Sequence, residues 1–237
     1  MPARYRPDDA LLPAELAQRD GLAYALFLPQ RRASAGLVII HGADSAKESH
    51  YDFARLAVAS GLAALCFDLR GHGDSEGALG GGALRDVATM AGRVREACSG
   101  GPLALRGSSL GGWLALSGAR GAEAAAVVAI CPATGPGLRR GVREGRFSFR
   151  ADAEGFDALV SEHDAAAAAS TLGERLLLMH AEGDEQVPVT VSAELHAAAP
   201  GSRFIRLPGG HHRSIQHDSE LQAASLRWLL AGLQPPR

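Results

Sequence analysis

The sequence has few cysteines, few aromatic residues and almost no excess of charge, and each shortage excludes a class of protein. Its 237 residues include only three cysteines, and no two of them have the C-x-x-C spacing. A disulfide framework or a zinc site is therefore not expected, and a reducing compartment is favoured. A formal net charge of −2 leaves no basic surface for nucleic acid and no acidic tail.

Long apolar runs are missing as well. No run approaches the roughly 20 residues that a membrane-spanning helix needs. Residues 1–9 carry two arginines and two prolines but no apolar core, so we expect no signal peptide. Aromatic residues make up only 5% of the chain, so the core must consist mainly of alanine, leucine and valine. These features predict a single-domain cytoplasmic protein without a membrane or nucleic-acid partner, and they leave monomer and homodimer equally open.

The motifs of nucleotide and metal sites are also absent. The glycine-rich stretch Gly77 to Gly82 lacks the Gly-Lys-Ser/Thr of a P-loop, and no G-x-G-x-x-G opens the first helix. His211 and His212 have no H-E-x-x-H partner. We therefore expect neither a cofactor nor a bound metal ion.

Short apolar runs alternate with helical stretches along most of the chain. Strands are predicted at residues 37–40, 63–67, 103–105, 125–130, 175–180 and 203–207, and helices at 49–60, 83–98, 110–119, 191–198 and 220–230. Residues 12–18 and 22–28 predict an antiparallel pair joined around Asp20-Gly21. The alternation predicts an α/β fold with a mostly parallel, eight-stranded sheet and helices on both faces.

One interval, roughly residues 133–172, interrupts this alternation. It has no strand signal, a near balance of arginines and acids, and an alanine run at 165–169. Either it is a solvated helical excursion or it forms a lid. The interval leaves the sheet just after the strand predicted at residues 125–130, which follows the helix predicted at 110–119. We therefore expect a lid inserted into a single domain of residues 1–237.

The most informative feature present is a serine in the pattern G-x-S-x-G. Ser109 lies between Gly107 and Gly111, just after the run 103–105 and before a predicted helix. A serine between a strand and a helix sits on a sharp turn, where side chains two residues away on either side would collide, so glycine is needed there. Such a turn exposes the hydroxyl and leaves the amide of Leu110 free to bind an oxyanion.

A serine nucleophile needs a base, and the base needs a third group to hold it. Residues at the carboxyl ends of different parallel strands meet at one edge of a sheet. Asp184 follows the run 175–180, and His211 and His212 follow the run 203–207. These positions make Asp184 the candidate acid and the two histidines the candidate bases.

With these residues in place, the chain resembles the α/β-hydrolase superfamily over nearly its whole length, and most of all its small serine carboxylesterases and dienelactone-hydrolase-like enzymes. The order serine, acid, histidine is that of the superfamily's triad. Its H-G stands here as His41-Gly42, its D-x-R-G-x-G-x-S segment as residues 68–75, and its G-D-x-x-V-P turn as residues 183–188.

The resemblance implies hydrolysis of a small or medium carboxylic ester through an acyl-serine, without a cofactor. Ser109 corresponds to the nucleophile, Asp184 to the acid, and His212 to the base, because relatives place this histidine three residues after a glycine. Spacing alone leaves His211 open. The residue after H-G, here Ala43, corresponds to the position of the second oxyanion amide beside that of Leu110.

The chain departs from the family pattern at two positions, and several other functions stay open. Relatives often carry a bulky residue where this chain has Ala43, and true dienelactone hydrolases have cysteine where it has Ser109, which counts against enol-lactone chemistry. A thioesterase, a peptidase or an acyltransferase would use the same triad. A non-catalytic binding protein on this fold is a further alternative.

Overall fold

A computed structural model describes residues 12–234, so the stretch 1–9, for which we expect no signal peptide, lies outside the described part. The strands are β1 (Glu15–Arg19), β2 (Leu22–Phe27), β3 (Ala35–Ile40), β4 (Leu62–Phe67), β5 (Leu103–Ser108), β6 (Ala126–Ile130), β7 (Leu176–Ala181) and β8 (Arg203–Leu207). The α-helices are α1 (Tyr51–Ala59), α2 (Ala83–Ala97), α3 (Leu110–Gly118), α4 (Gly135–Arg143), α5 (Ala153–Glu162), α6 (Ala165–Leu172), α7 (Thr190–Ala198), α8 (Ser214–His217) and α9 (Ser219–Gly232).

The strands form one sheet in the order β1-β2-β4-β3-β5-β6-β7-β8. β2 is antiparallel to both β1 and β4, and the remaining pairs are parallel. The predicted eight-stranded, mostly parallel sheet is confirmed. β4 lies on one side of β3, and from β5 onward the chain adds each strand on the other side, so the carboxyl ends of β3, β5, β6, β7 and β8 follow one another along a single edge.

Helices cover both faces of the sheet, which is why the central strands are buried at every residue. One face packs against α2 and α3, whose Met90 and Trp113 belong to one apolar cluster. The other packs against α1 and α9 through Phe53 and Leu229. The buried guanidinium of Arg106 lies 3.8 Å from the centre of the Phe53 ring on this second face.

The element bounds differ from the sequence predictions mainly where tertiary contacts decide them. β5 continues three residues beyond the predicted run, to Ser108, because β3 pairs with Gly107 and β6 with Ser108 itself. β1 begins at Glu15 rather than at residue 12. The helix predicted from residue 49 begins as a 3₁₀ turn, Lys47–His50, before α1. The short α8 was not predicted, because four residues carry no readable period.

The interval 133–172 contains α4, α5 and α6 and no strand longer than a single bridge. Several contacts fasten it to the sheet domain, including a bridge and a carboxylate. Leu79 bridges to Ala151, and the carboxylate of Asp44 accepts hydrogen bonds from the amide and the hydroxyl of Ser148 at 2.8 and 2.7 Å. Among the described helices, none is both long and apolar enough to cross a membrane.

Candidate active site

Four loops that follow strand ends meet at one edge of the sheet. Ala43 follows β3, Ser109 follows β5, Asp184 follows β7 and His212 follows β8. Ala43, Ser109 and His212 line one cavity of about 680 Å³. The parallel topology therefore brings together residues that lie up to 169 positions apart in the chain.

Ser109 occupies a strained turn between β5 and α3. Its backbone angles, φ 54° and ψ −116°, lie in a region that residues with side chains rarely adopt. A Cβ atom at Gly107 would stand 1.9 Å from the carbonyl oxygen of Gly111, and one at Gly111 would stand 2.2 Å from that of Ile40. Both glycines are therefore required by close backbone approach, as the sequence pattern predicts.

The carboxylate of Asp184 accepts hydrogen bonds from three donors and lies beside the ring of His180. Its Oδ1 accepts the backbone amides of Gln186 and Val187, each at 2.8 Å. Its Oδ2 accepts Nδ1 of His212 at 2.6 Å and lies 3.3 Å from Nε2 of His180. Burial by itself would raise the pKa of Asp184, but the hydrogen bonds outweigh it and hold this pKa well below its usual range. Asp184 is therefore an anion at neutral pH.

The hydrogen bond to Asp184 fixes the tautomer of His212. Because the carboxylate only accepts, Nδ1 carries the hydrogen and Nε2 is left as an acceptor on the other side of the ring. The structure thus brings His212 to Asp184. The neighbouring His211 instead donates its backbone amide to the Ser214 hydroxyl at 2.9 Å.

His180 is a site residue that the sequence analysis did not single out. Its fully buried ring donates from Nε2 to the carbonyl oxygen of Val187 at 2.9 Å and lies beside Asp184. Its Nδ1 is hydrogen-bonded to the Ser192 hydroxyl at 2.7 Å. The available signal was its position near the end of β7, four residues before Asp184.

The loop after β3 is braced by two histidines. Nε2 of His41 accepts the amide of Leu69 at 3.0 Å, and its Nδ1 donates to the carbonyl of Gly42 at 2.7 Å. Nε2 of His72 accepts the amide of Asp44 at 3.3 Å. Burial lowers the pKa of His41 to about 4, so its ring is neutral and Nε2 stays an acceptor. These contacts fix the backbone on either side of Ala43.

The turn after β4, within the segment 68–75, is held by ion pairs. Asp68 accepts the amides of Lys47 and Asp74 at 2.8 and 2.9 Å, and its carboxylate pairs with the Lys47 ammonium at 2.8 Å. Arg70 pairs with Asp86 at 2.9 Å. Both residues therefore hold the loop in place.

One group of potential metal ligands includes two of these residues. Single ligand atoms of Cys131, Asp184 and His212 lie within 4.8 Å of one another. Two of those residues are already joined by the 2.6 Å hydrogen bond, and burial raises the pKa of the Cys131 thiol, which opposes the thiolate that a metal would need. We assign no metal to this group.

The family model described as "Serine aminopeptidase, S33" matches residues 31–150, just over half of the chain. The chain belongs to this S33 family of α/β-hydrolases. The match to the S33 model includes Ser109 and ends before Asp184 and His212. Family membership supports hydrolase activity, while no curated protein sequence matches the chain.

Solved structures of similar fold include several esterases and a lipase. Est1E of Butyrivibrio proteoclasticus, solved with ferulic acid, is 19% identical, with a TM-score of 0.72 over 92% of this chain and 99% of that one. A monoacylglycerol lipase of Paleococcus ferrophilus is 19% identical, with a TM-score of 0.69 over 89% and 99%. XC6422 of Xanthomonas campestris, described as a serine hydrolase without a lid, is 21% identical, with a TM-score of 0.68 over 96% and 99%. At such identities, the likeness of this S33 family member to them establishes the fold.

Proposed function

We propose that this protein hydrolyses a carboxylic ester through an acyl-serine, with Ser109, His212 and Asp184 as its catalytic triad. The observation that carries the proposal is that Ser109, on a strained strand-to-helix turn, shares a cavity with a histidine whose other ring nitrogen is bonded to a buried carboxylate. Nucleophilic acyl transfer requires an accessible serine, a base of fixed tautomer and an anion hydrogen-bonded to that base.

In the acylation step, Nε2 of His212 takes the proton of the Ser109 hydroxyl while the serine oxygen attacks the ester carbonyl. The imidazolium that forms is stabilised by the ionised Asp184, which stays deprotonated. His212 then donates the proton to the departing alkoxide. In the second step it takes a proton from water, which attacks the acyl-serine and releases the carboxylic acid.

The oxyanion of each tetrahedral intermediate is assigned to the amides of Leu110 and Ala43. Leu110 is the first residue of α3, so its amide has no partner within the helix. Gly42 lies against the serine, since a Cβ there would be 3.3 Å from that of Ser109, and this proximity supports the assignment of the next amide, that of Ala43. Each such donor is worth about 3–4 kcal/mol of transition-state stabilisation in comparable enzymes.

We assign the interval 133–172 as a lid within a single domain. Thr134, Leu138 and Phe147 from this interval line the cavity that contains Ser109. The contacts of Asp44 with Ser148 fasten the interval one residue away from the proposed oxyanion amide. A cavity of about 680 Å³ under this cover suits a small or medium ester rather than a long lipid chain.

An ester fits the cavity better than the free amino terminus of a peptide. An aminopeptidase must pair an ammonium group with a carboxylate, but besides Asp44 and Glu185 the cavity is lined by Arg140 and Arg213, which have no ion-pair partner within residues 12–234. These two unpaired guanidinium groups disfavour an ammonium ion beside them.

Hydrolysis of 4-nitrophenyl esters from acetate to laurate, by the wild type and by Ser109→Ala, tests the proposal. We expect a burst followed by turnover in the wild type, an optimum at short or medium chain length, and no activity in the variant. Activity that survives in folded Ser109→Ala would refute the proposed nucleophile. A preference for thioester or aminoacyl substrates over matched esters would contradict the proposed esterase activity and indicate a thioesterase or a peptidase.

A further inference from the structure

The charge of the cavity differs from that of the protein as a whole. The chain has a formal net charge of −2, yet three guanidinium groups line the cavity. Arg140 belongs to α4, Arg146 to the loop after it, and Arg213 follows His212 directly. The positive groups therefore approach the cavity from two sides, the lid and the loop that carries the proposed base.

Two of these arginines have no carboxylate partner. On α4, the neighbouring Arg139 and Arg143 pair with Asp157 at 3.4 and 3.0 Å, on the side of α5. Arg140, on the same helix, lines the cavity instead, and no acid within residues 12–234 forms an ion pair with it or with Arg213. Unpaired arginines beside a cavity are available to bind an anion bidentately.

The two acids that line the cavity contact backbone or serine donors rather than arginines. Oδ1 of Asp44 accepts two hydrogen bonds from Ser148, at 2.8 and 2.7 Å. Oε2 of Glu185 lies 3.5 Å from the backbone nitrogen of His212. Arg146 pairs with the exposed Glu144. Arg140 and Arg213 are therefore the guanidinium groups of the cavity that no carboxylate within residues 12–234 pairs with.

We propose that the preferred substrate is an ester that carries a second, anionic group, in the simplest case a carboxylate, and that Arg140 and Arg213 bind that group. The apolar wall formed by Leu138, Phe147, Val187 and Val191 accommodates the carbon skeleton between the reacting ester and the anion. This inference rests on the proposed function, because it names the class of ester that the same site takes.

Two matched pairs of esters test it, since the anion can belong to the acyl part or to the alcohol part. The acyl pair is mono(4-nitrophenyl) adipate and its methyl ester. The alcohol pair is 4-(butyryloxy)benzoate and its methyl ester. Within each pair the two members have nearly the same shape and differ by one negative charge. Wild type, Arg140→Gln, Arg213→Gln and the double variant are compared, with Arg139→Gln as the control because Arg139 faces Asp157.

We expect kcat/KM of the wild type for the charged member of one pair to exceed that for the neutral member about tenfold, which corresponds to about 1.4 kcal/mol. The effect is modest because exposed ion pairs are screened by water and salt. It should lie mainly in KM, shrink in 1 M salt and disappear in the double variant, while Arg139→Gln keeps it. Comparing the charged-to-neutral ratio between proteins cancels any difference in leaving-group reactivity.

Equal or better use of the neutral members in both pairs, with Ser109-dependent turnover intact, would overturn the anion preference and leave the proposed function standing. A preference that the double variant retains would also overturn the assignment of the two arginines. Failure of the folded wild type to hydrolyse any of the four esters would instead contradict the proposed ester hydrolysis, and the inference with it.

Discussion

Replacing Asp184 with asparagine tests the proposed role of this carboxylate at the level of single hydrogens. Oδ1 accepts two backbone amides at 2.8 Å, whereas Oδ2 faces Nδ1 of His212. Turning the new NH2 group toward the amides would set it against two backbone donors and leave both without their acceptor. The asparagine must therefore keep its oxygen toward the amides and point its NH2 group at His212.

In that orientation the side chain donates to His212 where Asp184 accepted. Nδ1 then has to be the acceptor, so the ring hydrogen moves to Nε2, and the proposed base is no longer able to take the proton of the proposed nucleophile. The corresponding change in a serine protease lowers kcat about 10⁴-fold, which is about 5 kcal/mol. We expect kcat to fall by this factor with little change in KM, because the substitution exchanges an atom that faces His212 and not the substrate.

The assay is turnover of a 4-nitrophenyl ester by the wild type and by Asp184→Asn at neutral pH, with circular dichroism to verify folding. Asp52→Asn is the matched control, since Asp52 also accepts from a histidine, His217, at 3.2 Å but does not line the cavity. It should change kcat by less than about twofold. Heteronuclear NMR of the ring nitrogens should report the tautomer change at His212.

A folded Asp184→Asn protein whose kcat falls less than tenfold would refute this reasoning. So would a loss of equal size in Asp52→Asn, because the effect would then come from general destabilisation rather than from the tautomer of one ring.

Three further predictions concern the scaffold of the site. His180→Gln removes a ring that lies against the carboxylate of Asp184, the proposed triad acid, and we expect kcat to fall about tenfold at unchanged KM; an increase in KM alone would exclude a positioning role. Gly107→Ala should prevent folding of the serine turn, because its Cβ would overlap a backbone oxygen, whereas Gly92→Ala, in open space within α2, should stabilise the fold by about 0.5–1 kcal/mol in chemical denaturation. Finally, burial lowers the pKa of His41 to about 4 and that of His50 to about 3, both below the ordinary 6.5. Since the unfolded chain binds these protons first, stability is lost as the pH falls below 6.5, by roughly 4 kcal/mol between pH 7 and pH 5. A free energy of unfolding that stays constant or rises over this range would contradict that pKa argument.

The sheet was predictable because its signals are local and redundant. The apolar runs at β3, β4 and β6 are short and continuous, as strands buried on both faces must be, and stretches with helical character separate most of the runs. The serine turn was predictable for a different reason. A Cβ at either of its two glycines would lie within 2.2 Å of a backbone atom, so only glycine fits there. The residue types themselves therefore indicate the turn.

Contacts between segments that are distant in the chain leave no comparable local pattern in the sequence. Apart from its position four residues before Asp184, His180 carries nothing in its sequence neighbourhood that separates a ring lying between Ser192 and Asp184 from an ordinary core histidine. The end of β5 at Ser108 depends on partners in β3 and β6, and the cover of the cavity depends on Ser148 reaching Asp44, 104 positions away. These features follow from the folded topology rather than from periodicity.

The most direct test of the account is to locate the nucleophile by mass spectrometry after reaction with diethyl 4-nitrophenyl phosphate. If Ser109 is the nucleophile, we expect one diethylphosphoryl group per chain, on the peptide that contains Ser109, with release of one equivalent of 4-nitrophenol. Labelling should be absent in Ser109→Ala and much slower in His212→Ala. A label on another residue, such as the adjacent Ser108, or no label on a folded wild type, would contradict the proposed acyl-serine mechanism.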